Sequence, residues 1–261
     1  MRIDKVPYGD VASYLEQKDT VLIPIGAVEC YGPHLATGTE NAICNAWADA
    51  VATRAGVAVA PIMPFNYSAM FLDYAGTCSI EMATIEKTLL QICSGLASQG
   101  FRRFLFVNIH AGSIGPIESV CRALRSRFGA YGGLIDIFSV MRDMANVTYA
   151  ASKAPTGHGG EMVTSVAMHV CPDLVFAERM QKPEDFASFS EDVTTLTSGK
   201  VKLGLSSYMI FSNISDYSPI GIQGDPTGAT AEKGHLIWEN SLDYGVEAAT
   251  SFARAILQSQ R

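Results

Sequence analysis

Short apolar runs alternate with longer amphipathic segments through the first 140 residues of the chain. TVLIPIG (20–26) reads as a strand, and residues 41–56 place Ile43, Ala46, Trp47 and Ala50 at helical spacing. A second strand-like run, VAVAPIMPF (57–65), is β-branched and ends at prolines. Residues 81–100 carry Ile85, Leu89, Ile92 and Leu96 on one stripe, with Gly100 as a stop signal, and predict a helix. RRFLFVNIH (102–110) predicts a strand, about 116–128 a helix, and GGLIDIFSV (132–140) a further strand. This βαβα order predicts an α/β fold with a mostly parallel central sheet, helices on both faces and right-handed crossovers.

Beyond residue 140 the pattern weakens. A helix is expected from near Gly159 through EMVTSVAMHV, and the polar stretch at about 180–200 reads as surface loop. GIQGDPTGATAEKG (221–234) leads into a helix expected from about Ala229 to Gln258. No internal repeat or low-complexity tract divides the chain, so a single domain spanning 1–261 is expected.

Composition narrows the function classes. The chain has 261 residues, of which 48% are hydrophobic and 17% charged, enough apolar material for a large core. A formal charge of -7 with no basic run excludes a nucleic-acid partner, because phosphate binding needs clustered Lys and Arg. Six cysteines occur singly with no CxxC pair, which points to reduced core or loop residues. The N-terminal MRIDKVPYGDVASYLEQKD is polar, and no segment reaches the roughly 18 to 20 apolar residues of a membrane span. A cytoplasmic protein with no membrane partner is expected.

Three short segments carry the chemistry, and each follows a strand or opens a helix. The first, VECYGPHLATGTE (28–40), holds Glu29, Tyr31, His34 and Glu40 just past an apolar strand. The second, NIHAGS (108–113), puts His110 at a strand end, followed by small residues that let a ligand approach the backbone. In the third, GHGGEMVTS (157–165), His158 and Glu161 flank two glycines at a helix start. Ligands in open α/β sheets collect at the carboxyl ends of the strands, where these segments lie. Carboxylates with imidazoles select Zn²⁺, Mn²⁺ or Fe²⁺, and such a centre generates hydroxide at neutral pH and polarises a carbonyl. Taken singly, each group also has a plain structural reading: His110 as a hydrogen-bonded strand-end residue, Glu40 and Glu161 as first-turn acids favoured by the helix dipole.

Together these segments resemble the creatininase (creatinine amidohydrolase) family. The family's E-Q-H-G-P-H-L-P-x-x-T-D is similar to Glu29-Cys30-Tyr31-Gly32-Pro33-His34-Leu35 ending in Thr39-Glu40, and its N-G-H-G-G-N to Asn108-Ile109-His110-Ala111-Gly112-Ser113. H-A-G-E-x-x-T-S resembles His158-Gly159-Gly160-Glu161 with Thr164-Ser165. DYAGTCSI (73–80) and GDPTGATAEKG (224–234) match two further family stretches, so the resemblance runs from about 19 to 256.

The resemblance implies a three-layer α/β sandwich, a homo-oligomer up to a hexamer, and one or two divalent ions (Zn, Mn or Fe) per chain. It implies hydrolysis of a C–N bond in a small cyclic amide or formamide, a non-peptide bond, by a metal-bound hydroxide. Carried over position by position, Glu29, Glu40 and His110 bind one ion, Glu40 and Glu161 take part in a second, and His158 carries the proton, with Glu161 as ligand or base. The chain departs from the family at Tyr31, where the family has histidine, and at Glu40, where it has aspartate. Tyrosine binds a metal only as phenolate, against an ordinary pKa near 10, and the extra methylene of Glu40 moves its carboxylate by about 1.5 Å. These departures point to a mononuclear or altered centre, with Tyr31 as a substrate-binding hydroxyl or general acid. FNYSAMFLDYAG (65–76) lacks the histidine that many relatives carry, so Met70 and Phe71, with Trp47 and Ser113, are expected at the substrate pocket. The only other tryptophan is Trp238, far from the third motif, which argues against creatinine itself as substrate. The alternatives are ring opening of a lactone or cyclic diketone, and a binding or structural oligomer whose centre has decayed.

Overall fold

Strand side chains decide the layers here, because alternate residues of a strand face opposite sides of the sheet. In a computed structural model that describes residues 1–148, 157–184, 187–196 and 199–255, α1 (Tyr8–Leu15) precedes β1 (Thr20–Ile25). Then come α2 (Thr39–Ala55), β2 (Ala58–Val59), α3 (Met82–Gln99), β3 (Arg103–Asn108), α4 (Ile114–Phe128), β4 (Tyr131–Asp136) and α5 (Ile137–Thr148). After these stand α6 (Glu161–Val170), β5 (Thr194–Thr195), β6 (Lys200–Leu203), β7 (Ser206–Met209) and α7 (Ala231–Ala253). The central sheet has the order β2-β1-β3-β4 and every pairing in it is parallel.

On one side of that sheet, Leu22, Val59, Leu105, Val107 and Ile135 pack under α2, α5, α6 and α7 through Ile43, Trp47, Met141, Val166, Ile237 and Leu242. On the other, Val21, Ile23, Ile25, Phe104 and Phe106 pack under α3 and α4 through Ile85, Leu89, Ile117, Val120 and Leu124. The result is the expected sandwich of helices, parallel sheet and helices. Each such side chain contributes about 1.5–3 kcal/mol by leaving water. Within α3 the buried arc is Ile85, Leu89, Cys93, Leu96 and Ala97. Ile92, expected on the stripe, lies at its margin and is 45% exposed.

Three expectations are corrected. VAVAPIMPF keeps strand pairing only at Ala58–Val59 and at the single bridge from Met63 to Ile25, because Pro61 and Pro64 cannot donate to a ladder. The run expected as strand to residue 140 stops at Asp136. Its carboxylate accepts from the Ser139 amide at 3.2 Å and the Ser139 hydroxyl at 2.7 Å, a cap that starts α5 at Ile137. The end of the 180–200 stretch is not all loop, since β5 pairs with β6 and β6 with β7 in a small antiparallel sheet. Residues 256–258 of the expected last helix lie outside the described residues; α7 begins where the Thr230 hydroxyl accepts from the Lys233 amide.

Candidate metal centre

Chain segments from the carboxyl edge of the sheet converge on one buried spot. Glu29 follows β1 by four residues, His110 follows β3 by two, Glu40 is the second residue of α2, and His158 stands three residues before α6. Both carboxylates are 1–2% exposed. The turn that carries His110 is locked by Asn108, whose amide donates to the His110 carbonyl at 2.7 Å and whose oxygen accepts from Ser113 Oγ at 2.7 Å. Asn66 ties that hydroxyl to the β1 side by donating to Ser113 Oγ at 3.0 Å and to the Gly26 carbonyl at 3.1 Å.

Two imidazoles are oriented in the same way. His110 Nε2 lies 2.8 Å from the Tyr67 carbonyl and His158 Nε2 lies 2.6 Å from the Cys30 carbonyl. A carbonyl only accepts, so each Nε2 carries the proton and each Nδ1 is the nitrogen turned to the acids. His110 Nδ1 is 3.4 Å from Glu29 Oε1 and 3.3 Å from Glu40 Oε2, and His158 Nδ1 is 3.7 Å from Glu29 Oε1. Ligand atoms of Glu29, Glu40 and His158 all lie within 4.8 Å of one another.

Electrostatics show what the spot lacks. Burial and the neighbouring Glu29 push Glu40 up from 4.5 to about 7. Burial alone would raise Glu29 too, but His110 outweighs it and holds Glu29 below its ordinary value. His110, which burial alone would lower, is held well above its usual value by Glu29 and Glu40. Without a metal, a proton on His110 Nδ1 therefore takes the cation's place between the two acids. His158 is lowered by burial and is neutral at pH 7. Glu29 Oε2 and Glu40 Oε2 are buried without a hydrogen-bond partner among the described residues. Unsatisfied buried carboxylate oxygens are costly, and a divalent cation held by Glu29 and Glu40 would relieve that cost. Two carboxylates with two Nδ1-presenting imidazoles suit Zn²⁺, Mn²⁺ or Fe²⁺, and the backbone bonds on the far nitrogens fix ring orientation as outer partners of metal-bound histidines do.

A cavity of about 370 Å³ opens onto these groups. Met70, Phe71, Ile109, Phe138, Ile210 and Phe211 supply its apolar lining, and Asp136, Ser139 and Arg142 a polar part. A larger opening of about 610 Å³ around Lys18, Asp19 and Arg103 touches none of the candidate donors; the smaller cavity is the one with chemistry.

The creatininase profile, described as creatinine amidohydrolase, matches residues 5–249. The chain belongs to the creatininase family. It is similar to a mycofactocin precursor peptide peptidase of Mycobacterium ulcerans, at 30% identity over 86% of this chain and 82% of that one. It is also similar to the creatinine amidohydrolase of Pseudomonas putida, at 28% identity over 61% of this chain and 67% of that one. A solved manganese creatininase superposes with TM-score 0.79 at 21% identity, covering 97% of this chain and 99% of that one. Another creatininase of the same TM-score is described as of Zn–Zn type. The protein is thus a creatininase-family amidohydrolase, with a site able to hold a metal ion.

Against the family pattern, the structure brings together Glu29, Glu40, His110, His158 and Tyr31, and leaves other candidates outside. Glu161, expected as a second-ion ligand or base, is the first residue of α6 and pairs with Lys233 of α7, whose Nζ also donates to the Gly228 carbonyl at 2.7 Å. Ser113, expected to bind substrate, is buried in the turn beneath His110 and does not line the cavity. His34 is likewise turned away, with Nε2 3.0 Å from Thr164 Oγ1. Trp47 is core rather than pocket wall, its indole donating to Ser241 Oγ at 3.1 Å. Met70 and Phe71 do line the cavity.

Tyr31 acts through its neighbours. Its hydroxyl donates to Glu40 Oε1 at 3.1 Å, and burial, then Glu40 and Glu29, push its pKa well above 10, so it is a neutral phenol and not a phenolate ligand. Its ring lies 3.9 Å from the His158 ring, while Phe71 stacks on His158 at 4.5 Å. Tyr31 and Phe71 thereby hold the imidazole in place. Asp136, Ser139 and Arg142 were not singled out from the sequence, because the segment bearing them reads as the end of a strand.

Proposed function

We propose that the chain is a metal-dependent amidohydrolase whose single ion is held by Glu29, Glu40, His110 and His158, and whose substrate is a small or peptide-like amide. The observation that carries this reading is the pair of buried carboxylates, each with an oxygen that makes no hydrogen bond among the described residues, facing two imidazoles whose Nδ1 atoms are freed by backbone carbonyls. Zinc and manganese are favoured by this donor set and by the metals named for the solved family members. A bound ion of this kind supplies a Lewis acid for the carbonyl and lowers the pKa of water. The chain's own part is orientation and shielding. Tyr31 fixes the Glu40 carboxylate, and Tyr31 with Phe71 fixes His158. The apolar wall limits water at the reacting carbonyl. Burial lowers His158, whose proton sits on Nε2 against the Cys30 carbonyl, so its Nδ1 meets an ion with no proton to release.

The relatives named as peptide peptidases support widening the substrate class from cyclic amides and formamides to peptide-like amides. Metal analysis of protein purified without added metal or chelator, combined with hydrolysis of acyl amino acids, short peptides, cyclic amides and lactones, tests the proposal. About one zinc or manganese per chain and turnover of an amide are expected, both lost in His110→Ala. Metal-free active protein, retained metal and activity in His110→Ala, or turnover of lactones alone would overturn it.

A further inference from the structure

One cation lines the cavity that the donor set does not use. Arg142 is the only Lys or Arg on the wall among the described residues. It stands on α5, and β4, which delivers α5, pairs with β3, so this helix flanks the turn that carries His110. Its position is built rather than incidental. The Asp136 carboxylate accepts from Ser139 Oγ at 2.7 Å, and Ser139 Oγ accepts from Arg142 Nη2 at 3.2 Å. The half-buried Asp136 thus orients a hydroxyl, and the hydroxyl orients the guanidinium.

The rest of that guanidinium is available. Arginine has five N–H donors, and the Ser139 bond uses one. Its nearest acid is Asp143, 3.8 Å from Nε, which is beyond a hydrogen bond and on an exposed side chain. A half-exposed arginine on a cavity wall, held by one hydroxyl and otherwise engaged only in a loose, solvent-exposed ion pair from Nε to Asp143 among the described residues, presents a guanidinium edge that can pair with a carboxylate. The cavity otherwise carries Glu29, Glu40 and Asp136. With the inner acids neutralised by a divalent ion, Arg142 is the group that makes an anionic substrate acceptable.

We propose that Arg142 is the specificity-determining residue of this cavity and pairs with a free carboxylate of the substrate, so that the amide cleaved belongs to a carboxylate-bearing molecule. That class includes an N-acyl amino acid and the C-terminal residue of a peptide, and the apolar lining from Phe138 and Phe211 favours an apolar side chain on it. This assignment rests on the amidohydrolase reading and deepens it by naming what the substrate must carry.

Calorimetric binding to the protein with its metal as purified tests it. The ligands are N-acetyl-phenylalanine against its C-terminal amide, and an acetylated tripeptide ending in phenylalanine against its amide. Wild type is expected to bind at least one acid about tenfold or more tighter than the matching amide, the order of a charge-assisted hydrogen bond. The pair that discriminates tells a small acyl amino acid from a peptide terminus. Arg142→Gln is expected to bring the ratio close to one and Arg142→Lys to leave part of it, while Arg122→Gln, which removes an exposed charge on α4, leaves it intact. Unchanged circular dichroism in the variants excludes unfolding as the cause. Equal binding of acid and amide by wild type, no binding of either acid, or a ratio that survives Arg142→Gln would overturn the assignment. Hydrolysis of the same ligands is followed in parallel. Acid preference lost in Arg142→Gln without any turnover would sink the amidohydrolase reading and leave Arg142 standing; turnover without acid preference would do the reverse.

Discussion

Replacing Glu40 by glutamine is expected to stabilise the metal-free protein and at the same time abolish its response to metal. Glu40 is fully buried, its Oε2 has no hydrogen-bond partner among the described residues, and Glu29 faces it. Burial and that neighbour raise its pKa from 4.5 to about 7. A carboxyl whose folded pKa lies above its unfolded one keeps its proton longer in the fold. Its contribution to stability is fully present below about pH 4.5 and is lost as pH rises through about 7. At about 1.36 kcal/mol per pH unit, the loss approaches about 3 kcal/mol. Glutamine keeps the oxygen that accepts from Tyr31 and removes the charge, but its amide needs a partner of its own, which brings the expected gain at pH 8 to about 1–3 kcal/mol. Urea unfolding of chelator-treated wild type and Glu40→Gln at pH 5, 6, 7 and 8 reads this directly. Wild type is expected to weaken across that range, and the variant to weaken less steeply, with His110 beside Glu29 keeping a slope of its own. Added zinc is expected to raise the wild-type midpoint, by about 2.7 kcal/mol at one hundred times Kd, and to leave the variant unmoved. If Glu40→Gln is less stable than wild type at pH 8 without metal, or keeps the wild-type slope, the picture of a buried acid whose charge the His110 proton only partly offsets is refuted.

Other consequences are open to measurement. Metal binding at pH 7 displaces the proton on His110 Nδ1 and part of that on Glu40, so calorimetry in buffers of different ionisation enthalpy should show about one to two protons released per ion; none released would contradict the proton's place between the acids. Tyr31→Phe removes the bond to Glu40 Oε1 and is expected to weaken metal binding about 10- to 100-fold; an unchanged affinity in a metal titration would show that the phenol does not position the ligand. Gly245→Ala would set a Cβ 2.4 Å from the Trp47 ring where α2 meets α7, and a loss of about 1–3 kcal/mol in chemical denaturation is expected; no loss would mean that this contact yields freely.

The order of elements was legible in the chain because parallel strands buried on both faces read as continuous apolar runs and their helices as 3.6-residue patterns. The residues that meet at the buried spot, Glu29, Glu40, His110 and His158, were legible as chemistry-bearing too, since each sits in a short motif beside a strand end or helix start, although the resemblance made His158 a proton carrier and Glu161 a ligand. What tertiary structure alone decided are contacts between residues far apart. The turning away of His34 depends on Thr164, the pairing of Glu161 on Lys233, and the burial of Trp47 on Ser241 and Gly245. None of these partners is near in sequence. The same holds for Tyr31, whose odd presence in the first motif was visible but whose neutral, donating role follows from burial against two carboxylates. Arg142 was hidden because a strand-like run of apolar residues gave no sign of Asp136 capping a helix inside it. Local pattern set which groups the chain can offer, and packing set which of them face one another.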